Sequence, residues 1–326
     1  MMKKSNTSVN PTGSKSFKRG VLTIAHSKEK YVRQAINLAR SIRLHSPQMP
    51  LAVATNLSAS ALEDYFDEVV YWNFSNLTGL VAKLDAYDMS PFETTLFIDA
   101  DSLVVKPLED IFEYFNDYDF AVYGINKVHP RWFLDLDKIK EIIPSNTYPG
   151  FNGGIYYFKK TDQARGIFQS AKSYLPAYDN LMLKRFGSQP NEEPLISLAM
   201  AQSGLQATDN GYVDIMFAPA GRKGKLQIDV LAGICSFRKN DRVVHPYIMH
   251  FASDDMCYEY LREERRLQVY ASGQAISQWK ESWICSQIWL KWLFIRFIPL
   301  YSTFTKNKLK SLFQRESRYL SGGQAL

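Results

Sequence analysis

Ahead of residue 99 the chain alternates short apolar runs with segments of helical period, and that alternation narrows the fold more than any other feature. VLTIA (Val21–Ala25) reads as a buried strand, followed by YVRQAINLARSIR, where Val32, Ala35, Ile36 and Ala39 recur at helical spacing. LAVATN (Leu51–Asn56) is a second strand, SALEDYF a short helix and EVVYW (Glu68–Trp72) a third strand. LVAKLDAYDM (Leu80–Met89) has helical spacing and is stopped by Pro91, and TLFI (Thr95–Ile98) is the fourth strand. Strands alternating with helices imply parallel βαβ units, whose ligands bind beyond the carboxyl ends of the strands. The expected fold is α/β, with a mixed, mainly parallel sheet and flanking helices.

The fourth strand delivers the chain to LFIDADSLVV (Leu96–Val105), where only Ala100 separates Asp99 from Asp101 and an apolar run resumes. Carboxylates are seldom buried unless paired or bound to a metal. Two of them on one tight turn reach a single divalent cation, and hard cations such as Mg²⁺ and Mn²⁺ prefer carboxylate oxygens and bridge to phosphates. The plainer reading is a solvated turn capped by aspartate. Downstream, PLEDIFEYF reads as a helix, FAVYGI (Phe120–Ile125) as a strand and FNGGIYYFK as a glycine-rich strand. Helices follow from Asp162 to Tyr174 and around EEPLISLAMAQSG, with short β segments near Val213–Ala218 and Tyr247–Phe251. There is no internal repeat and no low-complexity linker.

Charge bears on what such a chain binds. Of 326 residues, 39 are Lys or Arg and 33 Asp or Glu, a net +6. The excess sits at the ends: residues 1–20 carry five basic residues and no acid, residues 281–326 carry seven basic and two acidic, and the middle is left at −4. That distribution argues against nucleic acid and for attraction to an anionic membrane surface. MMKKSNTSVNPTGSKSFKRG is polar and lacks an apolar signal core. Cys235, Cys257 and Cys285 are odd in number, widely spaced and without a CxxC pair. A cytoplasmic, reducing setting is therefore expected. WICSQIWLKWLFIRFIPLY (Trp283–Tyr301) is dense in aromatic and aliphatic residues but broken by Lys291, Arg296 and Pro299. This suits a helix lying in a lipid interface, peripheral to the membrane, better than one that spans it. Packing on the domain, or a homodimer contact, is the alternative.

PFETTLFIDADSLVVKPLEDIF resembles the D-x-D region of GT-A-fold glycosyltransferases, especially the glycogenin-like family eight. That pattern is an apolar strand, D-x-D, a short strand, then a helix opening with a leucine and an acidic residue. FNGGIYYFK resembles the family's F-N-[ST]-G-apolar strand, with Gly153 in place of the usual small hydroxyl residue. TIAHSKEKYVRQAINLARSIR resembles its first nucleotide-binding strand and helix, and the landmarks run in the expected order over most of residues 20–255.

The resemblance implies a GT-A (Rossmann-like) fold and metal-dependent transfer of a sugar from a nucleotide-diphosphate sugar, a UDP-sugar favoured, to an acceptor hydroxyl on a glycan or glycolipid, with retention of configuration. It implies Mn²⁺, or Mg²⁺, held by Asp99, Asp101 and His250, with His245 as the competing imidazole. Donor contacts would come from Ala25, His26, Lys83, Asp99, Ala100, Asp101, Asn152, Gly153 and Gly154. Catalytic roles would fall to Glu193, Glu192 and Asn152. The side-chain chemistry agrees. A neutral imidazole suits Mn²⁺, the Asn152 amide matches sugar hydroxyls, and Gly153–Gly154 permit close backbone approach. A carboxylate at 192 or 193 would stabilise a positively charged transition state or orient the acceptor hydroxyl. Each has a plainer use: Lys83 as an exposed helical lysine, the glutamates as acids favoured at a helix N-terminus, and the glycines as a folding requirement.

The chain departs from the family after His250, where HFASDDMCYEY lacks the glycine and K-P-W element that usually follow. GRKGKL (Gly221–Leu226) offers positive charge instead, as a glycine-flanked loop closing over the donor. The expected partition is a basic arm over residues 1–18, a GT-A domain over 19–278, and an aromatic, basic helical tail over 279–326. Two other readings fit the D-x-D. A haloacid-dehalogenase-type phosphatase would use Asp99 as nucleophile, but Leu103 stands where that motif has Thr or Val. A non-catalytic sugar-nucleotide-binding scaffold would keep the fold without the chemistry.

Overall fold

Side chains of alternating direction fill both faces of a six-stranded sheet, and this period-two burial organises the computed structural model. The structure describes residues 8–9, 15–58, 60–208, 211–252 and 257–294. The chain divides into two compact units, Met1–Ala252 and Ser253–Leu326. The tail expectation beyond residue 294 lies outside the described residues.

The first unit opens on a two-residue ladder, β1 (Ser8–Val9) with β2 (Lys15–Ser16). It continues through β3 (Arg19–Ile24), α1 (Glu29–His45), β4 (Leu51–Thr55), α2 (Ser60–Glu63) and β5 (Glu68–Tyr71). A 3₁₀ helix over Gly79–Asp85 leads into α3 (Ala86–Met89), then β6 (Thr94–Ile98), β7 (Ser102–Val104), α4 (Glu109–Tyr114) and β8 (Phe120–Ala121). Next come β9 (Gly124–Lys127), α5 (Leu136–Ile142), β10 (Tyr148–Phe151), β11 (Ile155–Lys159), α6 (Asp162–Tyr174) and α7 (Glu192–Gln202). The unit closes with β12 (Met216–Phe217), β13 (Arg222–Asp229), β14 (Ile234–Lys239), β15 (Arg242–Val244) and β16 (Ile248–His250).

The central sheet has the order β5-β4-β3-β6-β11-β8. Its first four strands run parallel, and β11 is antiparallel to both β6 and β8. Leu22, Ala52, Phe97, Tyr156 and Phe158 fill one face, against Ile167 and Phe168 of α6 and Leu195 and Leu198 of α7. Val21, Leu51, Val53, Leu96, Ile98 and Tyr157 fill the other, against Ala35, Leu38 and Ile42 of α1. The fold is thus mixed α/β, with a mostly parallel central sheet between helices.

Four stretches differ from the sequence expectation. Phe120–Ile125 is divided between β8 and β9, which lie in different sheets, and Leu80–Met89 between the 3₁₀ helix and α3. FNGGIYYFK is not one strand: β10 stops at Phe151 and β11 starts at Ile155, so Asn152–Gly154 cross between them as irregular backbone. GRKGKL is not a loop. Arg222–Asp229 is a strand in the β13-β14-β15 meander, with a register shift between Lys223 and Gln227 that takes up the left-handed Gly224.

In the second unit, α8 (Tyr258–Ala271) and α9 (Gln278–Trp292) bury Leu261, Val269, Ile284 and Ile288 together. Cys257 and Ser277 cap their first turns. None of the described helices is long and apolar enough to cross a membrane. No disulfide joins Cys235, Cys257 or Cys285.

Candidate active site

Chain geometry, before any side chain, decides where Asp99 and Asp101 point. Strand β6 ends at Ile98, and the Asp99 N–H donates to the Gly154 carbonyl at 2.9 Å. The Ser102 N–H donates back to the Asp99 carbonyl at 3.1 Å, closing a tight turn. Strand β7 then pairs antiparallel with β16 in the register Ser102↔His250, and the Phe251 N–H donates to the Asp101 carbonyl at 3.0 Å. This register sets one imidazole beside the two carboxylates.

His250 Nε2 lies 3.1 Å from Asp101 Oδ1 and 3.5 Å from Asp99 Oδ2. One donor atom from each of the three residues falls within 4.8 Å of the others. Burial pushes the imidazole pKa down, but the hydrogen bond and charge of Asp101, with the charge of Asp99, outweigh it and leave the group above its ordinary value. Its other nitrogen, Nδ1, sits 2.7 Å from Asn152 Oδ1, which also accepts from the Gly154 N–H at 2.9 Å. An amide oxygen has no hydrogen to donate, so Nδ1 carries the hydrogen of this contact and Nε2 is turned to the carboxylates. Two carboxylates and an oriented imidazole nitrogen form a donor set that fits Mn²⁺ or Mg²⁺. His245, by contrast, is exposed; its N–H donates to Asp214 Oδ2 and its carbonyl accepts from Lys106, away from this group.

Lys83 is not an exposed helical lysine. It is 9% exposed, on the 3₁₀ helix, and its Nζ donates to Asp99 Oδ2 at 2.8 Å, Glu192 Oε1 at 2.7 Å and the Gly153 carbonyl at 3.0 Å. Burial opposes its charge, yet Asp99 and Glu192 prevail and raise its pKa. One ammonium cannot neutralise two carboxylates. Burial, opposed by Lys83 and reinforced by Glu193 and Asp99, pushes the Glu192 carboxyl up to about 7. Tyr156, buried behind it, approaches Glu192 Oε1 at 3.4 Å.

Both glutamates open α7 as the helix dipole favours, but they also reach the site. Glu193 Oε1 accepts the Gly153 N–H at 2.7 Å, and Asn191, the N-cap, donates to Glu193 Oε2 at 3.2 Å. The carboxylate is held by both oxygens while the residue stays partly exposed. A Cβ on Gly153 would lie 2.4 Å from Glu192 Oε1, 2.8 Å from the Tyr156 hydroxyl and 3.1 Å from Glu193 Cγ. A Cβ on Gly154 would lie 2.5 Å from His250 Nδ1. The absence of a hydroxyl residue at 153 follows from this crowding: the space is taken by two acids and a tyrosine. Gly153→Ser is expected to lower stability by about 1–3 kcal/mol, read as a reduced urea midpoint, because Lys83 holds Glu192 against retreat.

Ala25, at the carboxyl end of β3, is fully buried; its N–H donates to Ala54 and its carbonyl accepts from Thr55 Oγ1. His26 stacks on Phe74 with centroids 4.5 Å apart. Burial lowers its pKa. Ala100 is buried between the two aspartates. The structure thus gathers Lys83, Asp99, Asp101, Asn152, Gly153, Gly154, Glu192, Glu193 and His250 by direct contacts, while Ala25 and His26 stand at the neighbouring strand end. Sequence reasoning missed three contributors. Asn191 was visible as a helix cap. Tyr156 was hidden in an apolar strand. Ser27, left-handed at φ 68° and held by Asn56 Oδ1, carries no signal in its residue type.

No protein-family model matches the sequence, and no curated protein does. Among solved structures the chain is similar to the glycosyltransferase GlyE of Streptococcus pneumoniae TIGR4, at 13% identity over 60% of this chain and 46% of that one, with a TM-score of 0.42. It is similar to an active-site mutant of LgtC, at 14% identity over 80% and 99% of the two chains, TM-score 0.49. It is similar also to mouse xyloside xylosyltransferase 1, at 11% identity over 72% and 97%, TM-score 0.46. The chain spans less than half the length of GlyE.

Proposed function

We propose that this chain is a GT-A-type, metal-dependent glycosyltransferase that moves a sugar from a nucleotide-diphosphate donor to an acceptor hydroxyl with retention of configuration. The observation that carries the reading is the Asp99, Asp101 and His250 donor set, brought together beyond the carboxyl end of a parallel strand with the imidazole tautomer fixed by Asn152. The motif order in the sequence supports it.

Asp99, Asp101 and His250 would hold Mn²⁺ or Mg²⁺, which when bound neutralises the diphosphate and acts as a Lewis acid toward the departing oxygen. The rest is the work of the protein's own groups. Glu193, fixed by the Gly153 N–H and Asn191, presents a partly exposed carboxylate that would stabilise positive charge on the reacting sugar carbon or orient the acceptor hydroxyl. Asn152 Nδ2, without a hydrogen-bond partner among the described residues, would donate to a sugar hydroxyl while Oδ1 keeps His250 in place. The stacked His26–Phe74 pair would back the nucleotide base. A thermal-shift screen of UDP-, GDP- and ADP-sugars with and without Mn²⁺ tests this: one class should raise the melting temperature only with metal. No shift with any donor, together with Asp99-dependent hydrolysis of p-nitrophenyl phosphate, would overturn it in favour of a phosphatase.

The acceptor is proposed to lie at a membrane. On α9, Ile284 and Ile288 are buried, whereas Trp279, Trp283, Leu290 and, just beyond the helix, Phe294 recur at steps of four, seven and four and are all exposed. Lys280 and Lys291 lie on the same helix, and the sequence after residue 294 carries six basic residues against Glu316 alone. An exposed aromatic stripe beside positive charge suits the headgroup layer of an anionic bilayer. Trp279→Ser/Trp283→Ser/Phe294→Ser is expected to reduce co-sedimentation with phosphatidylglycerol vesicles at least fivefold. Unchanged binding rejects this placement.

A further inference from the structure

One oxygen of Asp99 faces two nitrogen groups at once. Asp99 Oδ2 accepts from Lys83 Nζ at 2.8 Å and is also the Asp99 oxygen that faces His250 Nε2. Lys83 is anchored from behind, by Glu192 Oε1 at 2.7 Å and the Gly153 carbonyl at 3.0 Å, so it does not leave when Asp99 is engaged elsewhere. Glu192 is buried, and its second oxygen has no hydrogen bond among the described residues, so the ammonium is the main compensation for two carboxylates.

Resting on the metal-site reading above, we propose that Lys83 is a positioning residue that stands in for the metal at Asp99 and makes the metal and the nucleoside diphosphate bind as a unit. A divalent cation arriving alone shares the Asp99 carboxylate with the ammonium, within a few ångströms of buried space. Like charges so placed in a poorly solvated site repel strongly. A nucleoside diphosphate brings negative charge that offsets both cations at once. The affinity of each partner is then raised by the other, and by thermodynamic reciprocity by the same factor.

The test titrates Mn²⁺ into the full chain, following free Mn²⁺ by electron paramagnetic resonance, first without nucleotide and then with saturating UDP. The comparison is with Lys83→Met/Glu192→Gln, which removes one buried charge of each sign. Lys83 stands between Asp99 and Glu192, so the positive charge removed is the nearer one to the metal. Without nucleotide, the double variant is expected to bind Mn²⁺ about tenfold more tightly than the native chain, and the gain on adding UDP is expected to shrink. Equal or weaker Mn²⁺ affinity in a variant with a native circular dichroism spectrum overturns the proposal. The native chain supplies a second measurement that needs no variant: a ratio of Mn²⁺ affinities with and without UDP near one also overturns it. Asp101→Asn separates the two levels of failure. If it leaves Mn²⁺ binding unchanged, the cation is not at this site and the metal-site reading itself fails. If it abolishes binding while the double variant behaves as native, only the role of Lys83 falls.

Discussion

Replacing Asp101 by asparagine is expected to slow metal-supported sugar transfer about a thousandfold, equivalent to several kcal/mol of lost transition-state stabilisation. Asp101 is the better target of the pair. Asp99 also anchors Lys83, so changing it disturbs a buried ion pair, whereas the Asp101 carboxylate meets only His250 among the described side chains. Asparagine keeps the size and the contact with the imidazole and removes the charge. The Asp101 carbonyl continues to accept from Phe251, so the turn and the β7–β16 pairing are undisturbed. The melting temperature without metal should be close to native, while the Mn²⁺-dependent shift with a donor sugar disappears. Native turnover by a correctly folded Asp101→Asn protein would remove the basis of the functional proposal.

The second large effect concerns stability. Lys83→Met is expected to cost about 3–5 kcal/mol, because it leaves Glu192 buried without its cation. Adding Glu192→Gln should restore most of that loss, since a neutral pair of similar volume leaves no uncompensated buried charge at position 192. Urea denaturation of the native, single and double variants measures both quantities. A single-variant loss below about 1 kcal/mol would place the pair with ordinary solvated surface bridges.

The same pair marks where the sequence ceases to be legible. Strands β3 to β6 could be read because each is an apolar run closed by polar residues, and the turn at Asp99–Asp101 because carboxylates at a strand end are conspicuous. Lys83 could not be placed. Its partners lie far along the chain, at Asp99, Gly153 and Glu192, and a lysine between two apolar residues looks the same whether its tip is in water or in the core. The choice of His250 over His245 rests on the pairing of β16 with β7, which no local pattern encodes. The β13–β15 meander was masked for a different reason. RKGK carries charge on both faces of its first half, so the alternation that identifies a half-buried strand begins only at Leu226.

Strand β16 enters the sheet formed with β7 from the far end of the first unit's sequence. A ribosome completes β6, β7 and the Asp99–Asp101 turn long before His250 emerges. Through that interval the nascent chain carries both acidic groups but not the imidazole that stands beside them in the folded unit. Proteolytic or truncated products ending ahead of residue 248 would lack His250, and with it one of the three grouped donor residues. The three-residue donor group is therefore complete only once nearly the whole unit has been made.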